Sequence, residues 1–237
     1  MTMPIKLLLL FMVFFLSQGI AAHSEYDWHL VRDEDGIQIY LKKFLDDDVK
    51  SFKGVTHIPS SVDSLLAVII DVEACPDWIH HCTNPTLLLR KAFLEIYHYQ
   101  IHKLPFPALN REFILHSKVT RSPETGAVLI HINAVPEFCS EKIEPCTQLS
   151  DRQMVRVEHS HGHYLLEPLE NDSTRVTWTH HTNPGGYLPN WLINRLIREV
   201  PFRTLQGLRK KVCEEKYQKS RLITNSEGDI TALKISR

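Results

Sequence analysis

Histidine is the residue with the most chemical potential in this chain, which carries 14 histidines among 237 residues. His159, His161 and His163 alternate within the stretch HSHGH, so on a strand they would share one face. Three imidazoles on one face could hold zinc or copper. However, side chains two residues apart on a flat strand diverge, and neither a carboxylate nor a thiol completes the set. We therefore expect a polar outer face there, with no metal and no cofactor.

Two histidine pairs and one ion pair are the other candidates for chemistry. In His80-His81 and His180-His181, adjacent strand residues face opposite ways, so each pair offers one imidazole per side. Arg111-Glu112 could be catalytic or bind an anion, but we favour a role in fixing strand pairing at a sheet end through ion pairs. The sequence has no G-x-S-x-G motif, no P-loop and no Cys–His signature. We predict no catalytic residue.

The first 22 residues have the pattern of a secretory signal. One lysine precedes an uncharged apolar run from Leu7 to Leu16, and small residues follow up to Ala22. The run is shorter than the roughly 20 residues that span a bilayer. We therefore expect cleavage after Ala21 or Ala22 and a periplasmic or secreted protein.

Charge and cysteine content narrow the functional classes further. With 27 basic and 28 acidic residues, the formal net charge is -1, which indicates neither nucleic-acid binding nor a polybasic membrane anchor. Export would permit disulfides. Cys139 and Cys146 flank the polar segment SEKIEP and are the favoured pair; Cys75 and Cys82 have the same spacing, and Cys213 is left over. Sequence alone leaves the pairing open.

Hydrophobic periodicity divides the chain into strands and helices. Two strands, Ile37 to Phe44 and SFKGVTHI, precede a helix of about three turns that is capped by Ser60 or Ser61 and ends at Pro76. From Thr83, six strand-like segments follow in series, separated by turn residues, as in an antiparallel meander.

A long amphipathic helix follows the last of these strands. It begins near Pro189, and Pro201 interrupts it and should kink it. We expect one domain over residues 23–213 and a polar, partly disordered tail over 214–237. This order predicts an α+β fold in which a curved antiparallel sheet wraps around the long helix. Such a sheet need not fill its interior and can leave an apolar tunnel beside the helix.

Several motifs in this order resemble a known family. They are NREF at 110–113, GHYLLEP at 162–168, TRVTWTHHTNPGGYLPNWLIN from Thr174, and VPFRTLQGLRKKV from Val200. From Glu25 to Val212 the chain resembles the START family of steroidogenic-acute-regulatory-related lipid-transfer domains, which have the helix-grip fold. The resemblance implies a noncatalytic container for one sterol, phospholipid or sphingolipid. We expect a monomer that binds lipid and touches membranes transiently, without nucleic acid.

Two positions depart from the sterol-binding members that the chain resembles. Those relatives carry a cavity arginine where Ser117 stands here, and they pair it with a glutamate that aligns with His98. The resemblance therefore implies that this charged cavity pair is absent, and it does not favour a sterol as the ligand.

The alternation of side chains along strands predicts which residues face the tunnel. His180 shares its face with Val176 and Trp178, so it is either a cavity residue or a hydrogen-bonded core histidine. The predicted ligand-binding residues are Ile96, His98, Phe113, Leu115, Ser117, Ile130, Ile132, Trp178 and His180 from the strands, and Leu192, Leu196 and Val200 from the long helix.

Three functions are compatible with this cavity. The favoured one is binding of a single lipid and its transfer between membranes, with the C-terminal helix closing the tunnel. The first alternative is a cyclase-like or hydrolase-like enzyme that uses His98, His180 or Arg111 on a hydrophobic substrate. The second alternative is an interaction module whose cavity has collapsed.

Overall fold

The computed structural model describes residues 27–43, 49–139, 146, 154–228 and 230–234. The strands are β1 (His29–Glu34), β2 (Ile37–Lys42), β3 (Ser51–Ile58), β4 (Cys82–Ala92), β5 (Glu95–His102), β6 (Asn110–Arg121), β7 (Val128–Ala134), β8 (Met154–Arg156), β9 (His159–Pro168), β10 (Thr174–Asn183), β11 (Arg221–Thr224) and β12 (Ile230–Lys234). The α-helices are α1 (Val62–Ile69), α2 (Cys75–Trp78), α3 (Asn190–Lys211) and α4 (Glu215–Gln218), and single 3₁₀ turns lie at Val72–Ala74 and Pro136–Cys139.

Within the described residues, ten strands form one sheet in the order β1-β2-β3-β10-β9-β7-β6-β5-β4, with β8 paired parallel to β6 beside this path. The predicted meander accounts for the antiparallel neighbours from β4 to β7. Strand β10 then pairs with β3, so that Val176 lies opposite Thr56. The predicted α+β fold, a large curved antiparallel sheet around a long C-terminal helix, is confirmed.

Helix α1 begins where its capping residue predicts. The Ser61 side chain accepts a hydrogen bond from the backbone N–H of Ser64 at 3.2 Å, which satisfies one of the free donors of the first turn. The sequence predicted that this helix ends at Pro76, but α1 ends earlier, at Ile69. Pro76 lies in the first turn of α2, where its missing N–H would have no helical partner in any case.

Helix α3 has two halves that contact different parts of the molecule. Its C-terminal half packs into the core between the sheet and α1, and Phe202, Leu205 and Leu208 are fully buried there. Leu205 approaches β3 closely because Gly54 has no side chain: a Cβ at Gly54 would lie 2.7 Å from the Leu205 Cδ1. The N-terminal half, before Pro201, lies over a cavity that is described below.

Close backbone contact with α2 anchors the C-terminal half of α3. A Cβ on Gly207 would lie 2.2 Å from the carbonyl oxygen of Trp78. The hydroxyl of Thr204 also accepts a hydrogen bond from the backbone N–H of His80 at 3.1 Å. The residues around α2 are therefore fixed to the helix at a point just beyond Pro201.

We predict that Gly207→Ala lowers the free energy of unfolding by about 2 kcal/mol. Alanine favours helix by about 1 kcal/mol over glycine. The new methyl group would overlap backbone atoms of Trp78, which cannot move aside as a side chain could, so the cost should reach about 3 kcal/mol, the upper end of the usual range for overpacking. Urea denaturation of both proteins measures the difference. Arg198→Ala, an exposed change in the same helix, serves as the control. A Gly207→Ala protein as stable as the wild type would contradict the close contact.

The segment after Cys213 contains ordered elements where the sequence predicted partial disorder. The Tyr217 side chain is fully buried, and its hydroxyl donates to Asp71 Oδ2 at 2.8 Å. The backbone N–H of Leu222 donates to Asp63 Oδ2 at 2.9 Å, and β11 and β12 form a separate two-stranded sheet beside α1. These partners lie about 150 residues earlier in the chain, so the local polar composition did not reveal them.

Two disulfides lie within the described residues. Cys75 bonds Cys82 and Cys139 bonds Cys146, with Cα–Cα distances of 5.9 and 5.4 Å, inside the usual range of about 4.4–6.8 Å. The favoured pair and the second pair of the same spacing are therefore both bonded, while Cys213 is free and exposed. Two structural disulfides are typical of an oxidising environment.

The predicted export signal, residues 1–22, lies outside the described residues. Within the described part of the chain, no helix combines the length and the hydrophobicity needed to cross a membrane.

Candidate functional site

A cavity of about 220 Å³ lies between the concave face of the sheet and the N-terminal half of α3. On this measure a single water needs only roughly 10–15 Å³, so the interior is far larger than a packing defect. Strands β3, β5, β6, β7, β9 and β10 form one side of the wall. Helix α3 and the segment from Ile69 to Ile79 form the other side.

The cavity wall contains eleven of the twelve residues predicted to bind ligand. The register between β5 and β6 places Ile96 opposite Ser117 and His98 opposite Leu115, so alternate residues of both strands face inward together. Leu192 is buried but does not form part of the wall. The eleven are Ile96, His98, Phe113, Leu115, Ser117, Ile130, Ile132, Trp178, His180, Leu196 and Val200.

Aromatic side chains that the sequence did not assign to the ligand site line the cavity as well. The Trp178 ring stacks on Tyr164 with centroids 4.9 Å apart and meets Phe52 edge-on at 4.6 Å. Trp78 reaches the wall from α2, and its ring centroid is 6.4 Å from that of Tyr164. Strand alternation in HSHGHYLL predicts an inward-facing Tyr164, as observed, although Tyr164 was not among the predicted ligand-binding residues. Trp78 depends on the contact between α2 and α3, which leaves no local sequence signal.

Three histidines of the wall are neutral at pH 7. Burial, with a smaller effect from nearby histidines, lowers the pKa of His98 and of His102 to about 4. Burial also lowers the pKa of His180 to about 3, again with a smaller effect from neighbouring histidines. These rings keep some accessible surface although protein surrounds them, because they line the cavity.

Some ring nitrogens of these imidazoles are hydrogen-bonded to neutral groups, and others have no partner in the described structure. His180 Nε2 lies 2.8 Å from Ser160 Oγ, which lies 2.8 Å from Thr182 Oγ1. His102 Nε2 lies 2.9 Å from the side-chain nitrogen of Gln100. The Nδ1 atoms of His98 and His180 are buried without a hydrogen-bond partner among the described residues. His180 is thus both a cavity residue and a partly satisfied core histidine.

Gly162 explains the position of His180 and one feature of the HSHGH stretch. It pairs with His180 across β9 and β10, and a Cβ there would lie 2.2 Å from His180 Nδ1. Only glycine lets the imidazole lie across β9 and reach Ser160. The glycine within HSHGH therefore makes room for a side chain of the cavity wall.

The histidines of HSHGH themselves lie on the outer face of the sheet. The rings of His163 and His131 are 6.1 Å apart, and those of His161 and His181 are 5.2 Å apart. No group of histidine, cysteine or acidic residues within the described ranges has the geometry to hold a metal ion.

Arg111 holds two loops together at one end of the cavity. Its Nε donates to the Pro184 carbonyl at 2.8 Å, and its Nη2 donates to the Gly185 carbonyl at 2.7 Å. Its Nη1 donates to the carbonyl of Leu109. Arg111 itself therefore makes no ion pair in these contacts. The neighbouring Glu112 forms an ion pair with Arg156 at 2.8 Å and also accepts a hydrogen bond from the Tyr99 hydroxyl. We name residues 103–109 and 184–188 the rim loops.

The rim loops and the start of α3 expose large apolar side chains beside the cavity. Phe106 and Tyr187 are 95% and 88% exposed, and Trp191 and Leu109 are 59% and 51% exposed. Leu104, Pro184 and Leu188 of the same loops line the cavity wall. The sequence carries Lys103, Arg195 and Arg198 but no acidic residue within 103–109 and 184–198.

The sequence model of the START domain matches residues 18–218 of this chain. An uncharacterised protein of Pseudomonas aeruginosa is 31% identical over 192 residues, which cover 81% of this chain and 90% of that protein. The phosphatidylcholine transfer protein of Rattus norvegicus is 26% identical over 201 residues, 82% of this chain and 87% of that protein. The crystal structure of a STAR-related lipid transfer protein from Xanthomonas axonopodis has 28% identity and a TM-score of 0.69, and the match covers 79% of this chain and 99% of that one. The chain belongs to the START domain family.

Proposed function

We propose that this protein binds one lipid molecule in its cavity and carries it between membranes. The observation that supports this most strongly is a large cavity whose wall is mainly apolar and whose cover is half of an amphipathic helix. Each buried methylene of a lipid chain gains about 0.8 kcal/mol on leaving water. The names of the rat and Xanthomonas relatives point to the same activity.

We predict saturable binding of a fluorescently labelled fatty alcohol or monoacylglycerol with one ligand per protein. A cavity of about 220 Å³ should take up one chain-bearing molecule and then exclude further ligand. Titration monitored by fluorescence, with native mass spectrometry of the complex, measures the stoichiometry. Uptake that never saturates, or that persists after the protein is unfolded in urea, would contradict the proposal.

The N-terminal half of α3 is suited to open and close the cavity. No side chain from Asn190 to Arg198 makes a hydrogen bond to the sheet in the described structure. This half contacts the sheet through a hydrogen bond at Glu199, close to Pro201, where Glu199 accepts from Arg32 of β1 at 2.9 Å. The half beyond Pro201 is fixed by the core. We propose that opening bends the helix near Pro201, where the proline removes one backbone hydrogen bond.

The exposed rim side chains give the proposed carrier a way to approach a bilayer. Tryptophan and tyrosine favour the interfacial region of membranes, and Phe106 and Leu109 would insert beside them. Lys103, Arg195 and Arg198 add positive charge with no acidic residue in these segments, which complements an anionic lipid surface. Docking in this orientation would place the cavity next to the membrane.

We predict that the double substitution Tyr187→Ser and Trp191→Ser slows lipid exchange between vesicles at least tenfold and leaves the equilibrium affinity for a lipid nearly unchanged. Both residues are exposed, so the loss falls on membrane contact. Transfer of a fluorescent lipid from donor to acceptor vesicles measures the rate. Ile223→Ser, which removes an exposed apolar residue from β11, is the control. Equal slowing by the control variant would argue against docking through the rim.

An enzymatic role has one observation in its favour, the contact between Ser160 and His180. This pair has the distance of a nucleophile and its base. However, burial lowers the pKa of His180 to about 3, which makes it a poor proton acceptor at neutral pH. The described residues also place no carboxylate against its Nδ1. We therefore propose a noncatalytic carrier; Ser160-dependent hydrolysis of p-nitrophenyl palmitate would overturn this choice.

We propose further that the protein is exported to the periplasm or secreted and acts as a monomer. The two disulfides support an oxidising compartment. The pattern of the first 22 residues supports an export signal.

A further inference from the structure

The hydrogen-bonding groups inside the cavity are almost all uncharged. His98 faces the interior, and its Nδ1 is buried without a hydrogen-bond partner within the described structure. The Ser117 side chain lies on the neighbouring strand, and Thr182, Ser160 and His180 form a connected chain of neutral groups. A neutral imidazole offers one donor and one acceptor, and each hydroxyl can act as either. The wall can therefore recognise a group that both donates and accepts hydrogen bonds.

The charged side chains of the described wall are already engaged or exposed. Asp71 holds Lys216 at 3.1 Å and the Tyr217 hydroxyl at 2.8 Å. Arg111 donates to three backbone carbonyls of the rim, and Lys50 is exposed. An ionised group in the interior would therefore lose its water without gaining a counter-ion, which is strongly unfavourable.

Resting on the carrier function proposed above, we infer that the cavity selects lipids whose polar group is uncharged, such as a hydroxyl or an ester. His98 is the residue that forms the hydrogen bond to this polar group. The tryptophan and isoleucine side chains around it contact the hydrocarbon chain. The same wall rejects lipids of equal chain length with a permanently ionised head group.

Five probes with the same 18-carbon unsaturated chain test this inference on the full-length protein. Oleyl alcohol and monooleoylglycerol are uncharged, oleyl sulfate is an anion, oleyltrimethylammonium is a cation, and octadecene has no polar group. Each is supplied at equal mole fraction in dioleoylphosphatidylcholine vesicles. The protein is then separated by gel filtration, and its bound lipids are extracted and quantified. We expect the two uncharged polar probes to exceed each of the other three at least tenfold.

The substitution His98→Leu assigns the selectivity to its proposed residue. It should lower the ratio of bound oleyl alcohol to bound octadecene about tenfold, which a merely structural role for His98 would leave unchanged. His131→Leu, the same change on the outer face of β7, should keep the wild-type ratio. If His98→Leu does not fold, the ranking of the five probes by the wild-type protein still tests whether the cavity selects uncharged polar groups.

The outcomes separate this inference from the function on which it rests. Relative to the mole fraction supplied, equal or greater uptake of oleyl sulfate, oleyltrimethylammonium or the vesicle phosphatidylcholine overturns the inference and leaves lipid binding intact. Octadecene bound as well as oleyl alcohol has the same consequence. Uptake of none of the five probes and no phosphatidylcholine refutes the carrier function itself.

Discussion

Replacing Leu196 with Asp should reduce lipid affinity by about two to three orders of magnitude. Leu196 lies in the half of α3 that covers the cavity, together with Ile193, Ile197 and Val200. An unpaired carboxylate against this apolar wall costs several kcal/mol, and each 1.4 kcal/mol corresponds to a tenfold change in affinity. The closed position of the helix would then no longer be favourable.

Arg198→Asp provides the matched control for this experiment. Position 198 lies two residues further along the same helix and is exposed, so the new carboxylate stays in water. The affinity of this variant for a lipid should stay near that of the wild type, although its attraction to anionic vesicles should weaken. Fluorescence titration gives both affinities, and circular dichroism verifies that both proteins are folded. Equal binding by the two variants would mean that this half of α3 does not close the cavity.

Strand periodicity made most of the cavity wall predictable from sequence. Because side chains alternate with a period of two, assigning Trp178 to the inner face also placed His180 there, and the same reasoning held on β5, β6 and β7. The cavity-facing residues of helix α3 were harder to predict. Its cavity-facing stripe runs through Ile193, Leu196, Ile197 and Val200, so Leu192 lies at the edge of the stripe and outside the wall.

The features that sequence reasoning missed depend on contacts between distant parts of the chain. Trp78 enters the wall because Gly207 lets α3 lie directly on α2. The pairing of β10 with β3 joins the N-terminal strands to the rest of the sheet but has no signal in either strand. The charge state of the cavity also required burial and partners to be known, since a histidine in a sequence carries no information about its pKa.

Acidification from pH 6.5 to 4 should remove a large part of the stability of this protein. The ordinary pKa of histidine is 6.5, and the folded values are about 4 for His98 and His102 and about 3 for His180. The unfolded chain therefore takes up protons first as the pH falls. The stability that the neutral rings contribute is complete above pH 6.5 and is lost as the pH falls toward the folded values.

The size of this loss makes it measurable by urea denaturation at a series of pH values. One pKa unit corresponds to about 1.4 kcal/mol, so each ring contributes on the order of 3 kcal/mol, and domains of this kind have only about 5–15 kcal/mol in total. The urea midpoint should therefore fall steeply below pH 6.5. His98→Leu removes one of the three groups and should flatten the pH dependence by about a third. His131→Leu on the outer face should leave that dependence unchanged. If the wild type were equally stable at pH 7 and pH 4, water would have to solvate these rings freely, and the cavity could not be the dry, uncharged interior proposed for lipid selection.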